Sequence, residues 1–543
     1  MNLTRKQFSL NLMRVAAAAL VVLLVNSASA AGTAAWLFDG LEPAKPDRAQ
    51  SLVTDRSDWH KDAVVYHLWV AAFRDSDGDG LGDLRGIIQS LDTLQELGVN
   101  TLWLSPFFKS ASTIRNLHGY DVIDHRQVDP RLGTNADADA LIREAHARGL
   151  RLIFDFVPNH VSSQHPWFVD SSDAQSSKRD WFVWWDKQPT NGWTGFDRRS
   201  DWHSLKGAYY YGIFSVGMPD VNHRNAAARL ELARAARYWL DRGFDGMRMD
   251  AVRYLFENLK GDGVKGDQED QPETIAWFEA WRREVMDPYA AQGYAKFMVA
   301  ENWTSEREGL LTYLRHDGRP AAHMTLNFPL LRAFTHLDTA TARELWEWDA
   351  KLPTDGWLGN FVSNHDLAAD RPGTLFAGNP EKLRAQTAWL LLGPGTPFIY
   401  YGNEIGQPQG TQRGDTRYRQ PLNWEELARQ RDDRGSIWHW HQRLIQVRRD
   451  HSSLRRGKVH FLETDAGNKV LALWREADAE RTLTILSGSA DPLPALTVKV
   501  PPGLPGRPVI WVLGSGPTMA NDDGTFKLGP WAPFESKVLL WSK

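Results

Sequence analysis

The sequence predicts an α/β fold: a closed (β/α)8 TIM barrel, with an inserted irregular subdomain after strand 3 and a C-terminal all-β sandwich domain. Three observations predict it. Short apolar runs alternate with amphipathic helical segments from residue 64 to residue 450. Residues 161–218 interrupt that rhythm with Trp, Asp, Gly and Tyr and no helical period. After residue 451 the pattern changes to short alternating stretches, the mark of antiparallel sheet.

The strand candidates are residues 64–73, 99–106, 150–157, 244–250, 296–302, 324–328, 359–366 and 396–403. Their near-continuous apolar character suits strands buried on both faces of a parallel sheet. Ala136–Arg148, Ala226–Arg242, Glu381–Leu392 and Ile437–Asp450 carry the helical period between them. Eight such units close a barrel. The expected boundaries are 61–160 and 219–450 for the barrel, 161–218 for the insert and 451–543 for the sandwich. Its strands are sought at Lys469–Trp474, Thr482–Ser487, Leu496–Val500, Pro508–Leu513 and Lys537–Trp541. Residues 31–60, with Pro43 and Pro46, read as an extended lead-in.

The first thirty residues follow different rules. Arg5, Lys6 and Arg14 precede or flank the apolar run Val15–Val25, and Ala28-Ser29-Ala30 offers a small-residue cleavage site. That is a secretory signal peptide, too short in its apolar part to span a bilayer. It implies export to the periplasm or the medium, with no membrane association after cleavage. Without those three cations, 60 basic residues face 67 acidic ones, a net charge of −7. No basic excess is left to bind a nucleic acid. The chain has no cysteine, which excludes disulfides, thiolate metal sites and thiol nucleophiles. It is expected to work as a monomer.

Catalytic groups of a (β/α)8 barrel project from the C-terminal ends of its strands. The third strand candidate ends in Asp155, followed by Asn159 and His160. The fourth ends in Arg248 and Asp250, the fifth in Glu301 and Asn302, and the seventh in Asn364, His365 and Asp366. Carboxylates from separate strands, with arginine and histidine beside them, suit cleavage of a glycosidic bond. That chemistry needs one carboxylic acid to protonate the leaving oxygen and one carboxylate to meet the cationic anomeric carbon. Arg248, two residues from Asp250 on a strand, shares its face and would keep Asp250 ionised. Glu301, less obviously paired, would hold the proton of a general acid. His160 and His365 are candidates for hydrogen bonds to sugar hydroxyls.

These segments resemble the α-amylase family of glycoside hydrolases, family 13. DFVPNH (155–160), GFDGMRMDA (243–251), VAEN (299–302) and FVSNHD (361–366) match its four strand-end motifs in order, and MPDVN (218–222) matches a fifth. HGYDVIDHRQVDPRLGT (118–134) and GTPFIYYGNEIG (395–406) match flanking signatures. The resemblance covers about residues 58–543 and implies a retaining hydrolase. It makes Asp250 the nucleophile, Glu301 the acid/base and Asp366 the third carboxylate, with Tyr120, Asp121, His160, Arg248 and His365 around the attacked sugar. Arg419, in RQPLNW (419–424), is implied to reach that sugar. MPDVN is similar to the intermediate group between the oligo-1,6-glucosidase and neopullulanase branches, and Ala251 after the nucleophile accompanies α-1,4 action. Trp181, Trp184, Trp185, Trp193 and Trp202 crowd the insert, as sugar platforms or as core.

The stretch from Asp75 to Asp83 sets Asp75, Asp77, Asp79 and Asp83 at alternate positions, with the Leu81 carbonyl between the last two. Hard oxygen donors at that spacing suit Ca2+, and a bare acidic turn is the other reading. The resemblance favours the calcium loop that follows the first barrel strand in oligo-1,6-glucosidase-like members, and Asn159 matches a calcium ligand of many amylases. The expected activity is α-1,4 cleavage of starch or maltooligosaccharides. An α-glucosidase or a glucosyl-transferring, trehalose-forming enzyme is the alternative, and a non-catalytic sugar-binding subunit the remote one.

Overall fold

The computed structural model describes residues 37–541 apart from 55, 114–115, 191, 196–199, 260–266, 354–355, 367, 479, 502–507 and 522. The expected signal peptide lies outside the described residues. All eight apolar runs form strands: β1 (Val65–Leu68), β2 (Thr101–Leu104), β3 (Arg151–Phe156), β4 (Gly246–Met249), β5 (Phe297–Ala300), β6 (Met324–Leu326), β7 (Leu358–Phe361) and β8 (Thr396–Tyr400). Each pairs in parallel with its sequence neighbours, and β8 returns to β1, closing the barrel. The first run is shorter than expected, because the chain turns at Trp69 into a single helical turn, Val70–Phe73.

Alternation along each strand separates two apolar layers. Val65, Trp103, Ile153, Phe297, Val299, Met324, Phe361 and Phe398 fill the barrel interior. Their neighbours, such as Leu102, Phe154, Met247 and Met298, face the surrounding helices. Gly359 is set by that crowding: a Cβ there would sit 2.6 Å from the Phe398 ring and 2.9 Å from Met324 Sδ.

The insert is more regular than its sequence suggests. It holds a helix, Pro166–Ser171, and a three-stranded antiparallel sheet of Trp184–Trp185, Ala208–Tyr211 and Trp202–Leu205. The C-terminal region pairs β9 (Lys458–Leu462), β10 (Val470–Ala477), β11 (Glu480–Ser487), β13 (Ile510–Leu513) and β15 (Ser536–Trp541) into one antiparallel sheet. Strands β12 (Leu496–Lys499) and β14 (Thr525–Leu528) form a second. Ala472, Trp474, Leu483 and Ile485 pack between the two sheets, while Leu471, Leu473, Leu486 and Val538 join the core shared with the barrel. The lead-in lies along the barrel wall, where Phe38 packs edge-on against Trp277 and Trp281.

Candidate active site

Strand register assembles the site. Asp155 on β3 lies opposite Arg248 on β4, and Arg248 lies opposite Val299 on β5. Aligned residues of a parallel pair face the same side, so Asp155 and Arg248 both point into the barrel mouth. Asp250 and Glu301 continue β4 and β5, each held by a backbone bond to the strand before it: Asp250 N to the Phe156 carbonyl at 2.9 Å and Glu301 N to the Met249 carbonyl at 3.0 Å.

One guanidinium gathers three carboxylates. Arg248 Nη1 lies 2.7 Å from Asp155 Oδ1 and 2.6 Å from Asp250 Oδ1, and Nη2 lies 2.5 Å from Glu301 Oε1. Glu301 is therefore as closely paired as Asp250, which corrects the reading of it as the less paired acid. The Ala251 N–H donates to Glu301 Oε2 at 3.1 Å and fixes its second oxygen. Burial dominates the electrostatics: it pushes Asp250 up to about 7 and Glu301 up to about 8, each against the opposing pull of Arg248. Arg248 lowers Asp250 as expected but does not outweigh the loss of water.

Asp366 stands across from this group. Its Oδ1 accepts from Arg419 Nη2 at 3.1 Å, and its Oδ2 lies 3.0 Å from His365 Nε2. Tyr120 Oη sits 2.6 Å from the same His365 nitrogen and donates to Asp155 Oδ2 at 3.2 Å. Burial holds both His160 and His365 neutral, His160 at about 3 and His365 well below its usual range. His160 is held by the Tyr120 carbonyl, and its buried Nε2 has no partner in the protein.

Tyr120, His160, Asp250, Glu301, Asp366 and Arg419 line one cavity of about 670 Å3. Arg248 and His365 stand behind that wall in direct contact with it. Asp121 does not join the wall: it accepts from the Ser112 hydroxyl and lies 3.9 Å from His118, which does. Asp155, present in the strand-end survey without a role, is the link between Arg248 and Tyr120. The sequence reading also misses His67 and Trp103, stacked at 3.5 Å beneath His365. The signal for them was the polar and aromatic content of the first two strands. The aromatic walls are Phe214, Tyr254 and Trp303. The five insert tryptophans do not line the cavity. Trp193 and Trp202 are buried with Val183, Tyr211 and Ile213, Trp184 stacks on Phe168, Trp181 packs on Trp167, and Trp185 lies on the surface beside Trp202.

The acidic loop brings carboxylate oxygens of Asp75, Asp77 and Asp83 within 4.8 Å of one another, a hard-oxygen donor set of the kind Ca2+ takes. Asp79 is not in that group and accepts instead from Leu81 N at 2.8 Å. Asp75 accepts from the N–H groups of Gly78 at 2.7 Å and Gly80 at 2.8 Å, which lower its pKa. Asp83 caps helix Leu84–Leu97 through Gly86 N. Asn159 lies beside buried Asp220 at the junction with the insert and bonds to it.

A guanidinium bridging two acids at the mouth of a (β/α)8 barrel, faced by a third carboxylate, defines a glycoside hydrolase. The sequence profile of the α-amylase catalytic domain matches residues 67–445, and the chain belongs to the α-amylase family. It is 31% identical to alpha-amylase 3 of Dictyoglomus thermophilum over 461 residues, which is 79% of this chain and 85% of that protein. It is 30% identical to an alpha-glucosidase of Culex pipiens over 490 residues, 80% of this chain and 82% of the relative. Its fold matches the trehalose-6-phosphate hydrolase of Bacillus licheniformis with a TM-score of 0.75, at 23% identity, over 89% of this chain and 100% of that one.

Proposed function

We propose that the chain is a retaining α-glucosidase that removes glucosyl units from the non-reducing ends of short α-1,4-linked maltooligosaccharides. The observation that carries this reading is the end wall of the cleft. Arg419 binds Asp366, lies 3.4 Å from Asp415 and sits 4.4 Å above the Trp69 ring, and Asp415 and His118 line the same side. We take this paired cluster as the closed end of the cleft, beyond the ring that Asp366 would grip, where a continuing glucan chain would have to pass. A cavity of about 670 Å3 lies within the size range of small-molecule sites.

In the first step Asp250 attacks the anomeric carbon while Glu301 protonates the departing oxygen. In the second, Glu301 takes a proton from water, which releases the sugar from Asp250. Two acids bound by one guanidinium suit the separation of about 5–5.5 Å that retention requires. Asp366, His160 and the Tyr120–His365 pair hold the hydroxyls of the attacked ring. Ala251, in the cavity wall after the nucleophile, leaves room on the acceptor side in keeping with α-1,4 linkage.

The endo-acting amylase reading shares this chemistry and differs at the end wall. A time course on maltoheptaose separates them. Stepwise release of glucose is expected, with maltohexaose the first partner product. A mixture of short products from the start overturns the exo reading, and trehalose from maltose would make the enzyme an isomerase. We also propose that Asp75, Asp77 and Asp83 hold a structural Ca2+, and that the chain is exported by its N-terminal leader.

A further inference from the structure

The hairpin of Phe108–Ser110 and Val122–Val128 ends in a tip that carries His118 and Tyr120 into the cleft. Its base faces a second cavity, of about 260 Å3, closed on the other side by the start of the insert helix and by helix Ala226–Arg242. That volume lies below the range of about 300–1,000 Å3 that takes a drug-sized ligand, and so suits a single sugar ring.

The wall combines an indole with balanced charge. Trp167 is half-buried and held in place by the Trp181 ring at 5.2 Å and the His165 ring at 4.4 Å. Around it stand Lys109 and Arg126, matched by Asp124 and Glu231, with Arg126 Nη2 3.2 Å from Glu231 Oε2. The cavity therefore offers donors and acceptors together but no net charge to attract an ion. His125 adds a buried demand. One ring nitrogen donates to the Val157 carbonyl, and Nε2, at the far side of a ring only 3% exposed, has no partner. A buried acceptor without a donor is unfavourable, but this nitrogen has no surface open to the cavity, so the partly exposed side chains of the wall supply the contacts to a ligand.

We propose that this cavity, between Trp167 and the hairpin base, is a second saccharide-binding site that holds one neutral pyranose ring, such as a terminal glucosyl unit of an α-glucan, apart from the site of cleavage. The indole covers the C–H face of the ring while the charged side chains of the wall meet its hydroxyls. Binding there raises the local concentration of chain ends near the cleft.

Native gel electrophoresis in soluble starch tests it with the Glu301→Gln protein, which does not digest the gel. Glu301→Gln is expected to be retarded. Adding Trp167→Ala should weaken the apparent affinity about tenfold. Asp124→Ala, a half-exposed position in the same wall, should weaken it in the same direction and serves if Trp167→Ala folds poorly. In the otherwise unaltered enzyme, Asp124→Ala should leave kcat/KM for maltose unchanged. Equal retardation with and without these substitutions overturns the proposal, as does no retardation at all. Retardation lost together with maltose turnover also overturns it, because the cavity would then act through the cleft. If the enzyme fails to cleave maltose but retardation still depends on Trp167 and Asp124, the reading of the reaction falls and this site stands.

Discussion

The carbonyl oxygen of Tyr418 accepts from two nitrogens of Arg371, Nε at 3.2 Å and Nη2 at 2.6 Å, while Nη1 donates to the Tyr401 carbonyl at 2.8 Å. Arg371 is fully buried and lies over the Tyr400 and Tyr401 rings at 4.6 and 4.7 Å. It ties the end of β8 to the residue before Arg419, and Arg419 grips Asp366. Arg371→Lys keeps a positive charge but loses the planar fork. It is expected to lower kcat/KM for maltose by about 10–100-fold, as small misplacements near reacting groups do. The pH profile should keep its shape, because Asp250, Glu301 and Arg248 are untouched. Wild-type kinetics in Arg371→Lys would remove Arg371 from the support of the site.

The buried acids carry a stability consequence with a definite sign. Burial raises Asp250 to about 7 and Glu301 to about 8, against about 4 for carboxylates in an unfolded chain. The folded state thus binds protons more tightly than the unfolded one. The stability these groups contribute is full below about pH 4 and is lost as pH rises through about 7 to 8. Glu301→Gln cannot ionise and escapes its share of that loss. The variant is expected to match wild type in Tm at about pH 5 and to exceed it by a few degrees at about pH 9. A gain that shrinks with pH would show that the pairing with Arg248 outweighs burial.

The eight barrel strands were legible because burial on both faces writes apolar runs into the chain; seven runs contain their strand, and the seventh run misses only the first residue of its own, Leu358. Asp250, Glu301 and Asp366 could be found because each closes such a run. What joins them could not. The contact of Glu301 with Arg248 arises from the register of β4 against β5, and a linear pattern holds no register between strands so far apart in sequence. Strand β9 was missed as a half-exposed edge strand whose sequence, KVHFL, has little contrast between its faces. The insert tryptophans were legible as a cluster but not as core, since composition alone cannot separate a buried indole from a sugar platform.

That distinction can be measured at Trp202. Its ring lies 5.4 Å from Tyr211 and is stacked at 6.2 Å from Trp193. Truncating a buried tryptophan removes packing on all sides, so Trp202→Ala should destabilise the protein by about 3–5 kcal/mol. KM for maltose should hold at a temperature where the variant is folded. Unchanged stability with a raised KM would restore the platform reading.

The acidic loop supplies the last test. If Asp75, Asp77 and Asp83 hold Ca2+, the ion binds the folded chain alone, and its saturation adds about 2.7 kcal/mol at a hundredfold excess over Kd. Chelation should therefore lower Tm, and added Ca2+ should restore it. Asp83 needs care, because its Oδ1 also caps helix Leu84–Leu97, and its loss would destabilise the chain whatever the loop binds. Asp77→Asn avoids that difficulty: Asp77 is exposed and caps no helix. In Asp77→Asn the chelator effect should shrink or vanish while Tm without metal stays near that of the chelated wild type. A wild-type Tm indifferent to chelator, with no metal in the purified protein, would leave the loop as an acidic turn held by its own backbone N–H groups.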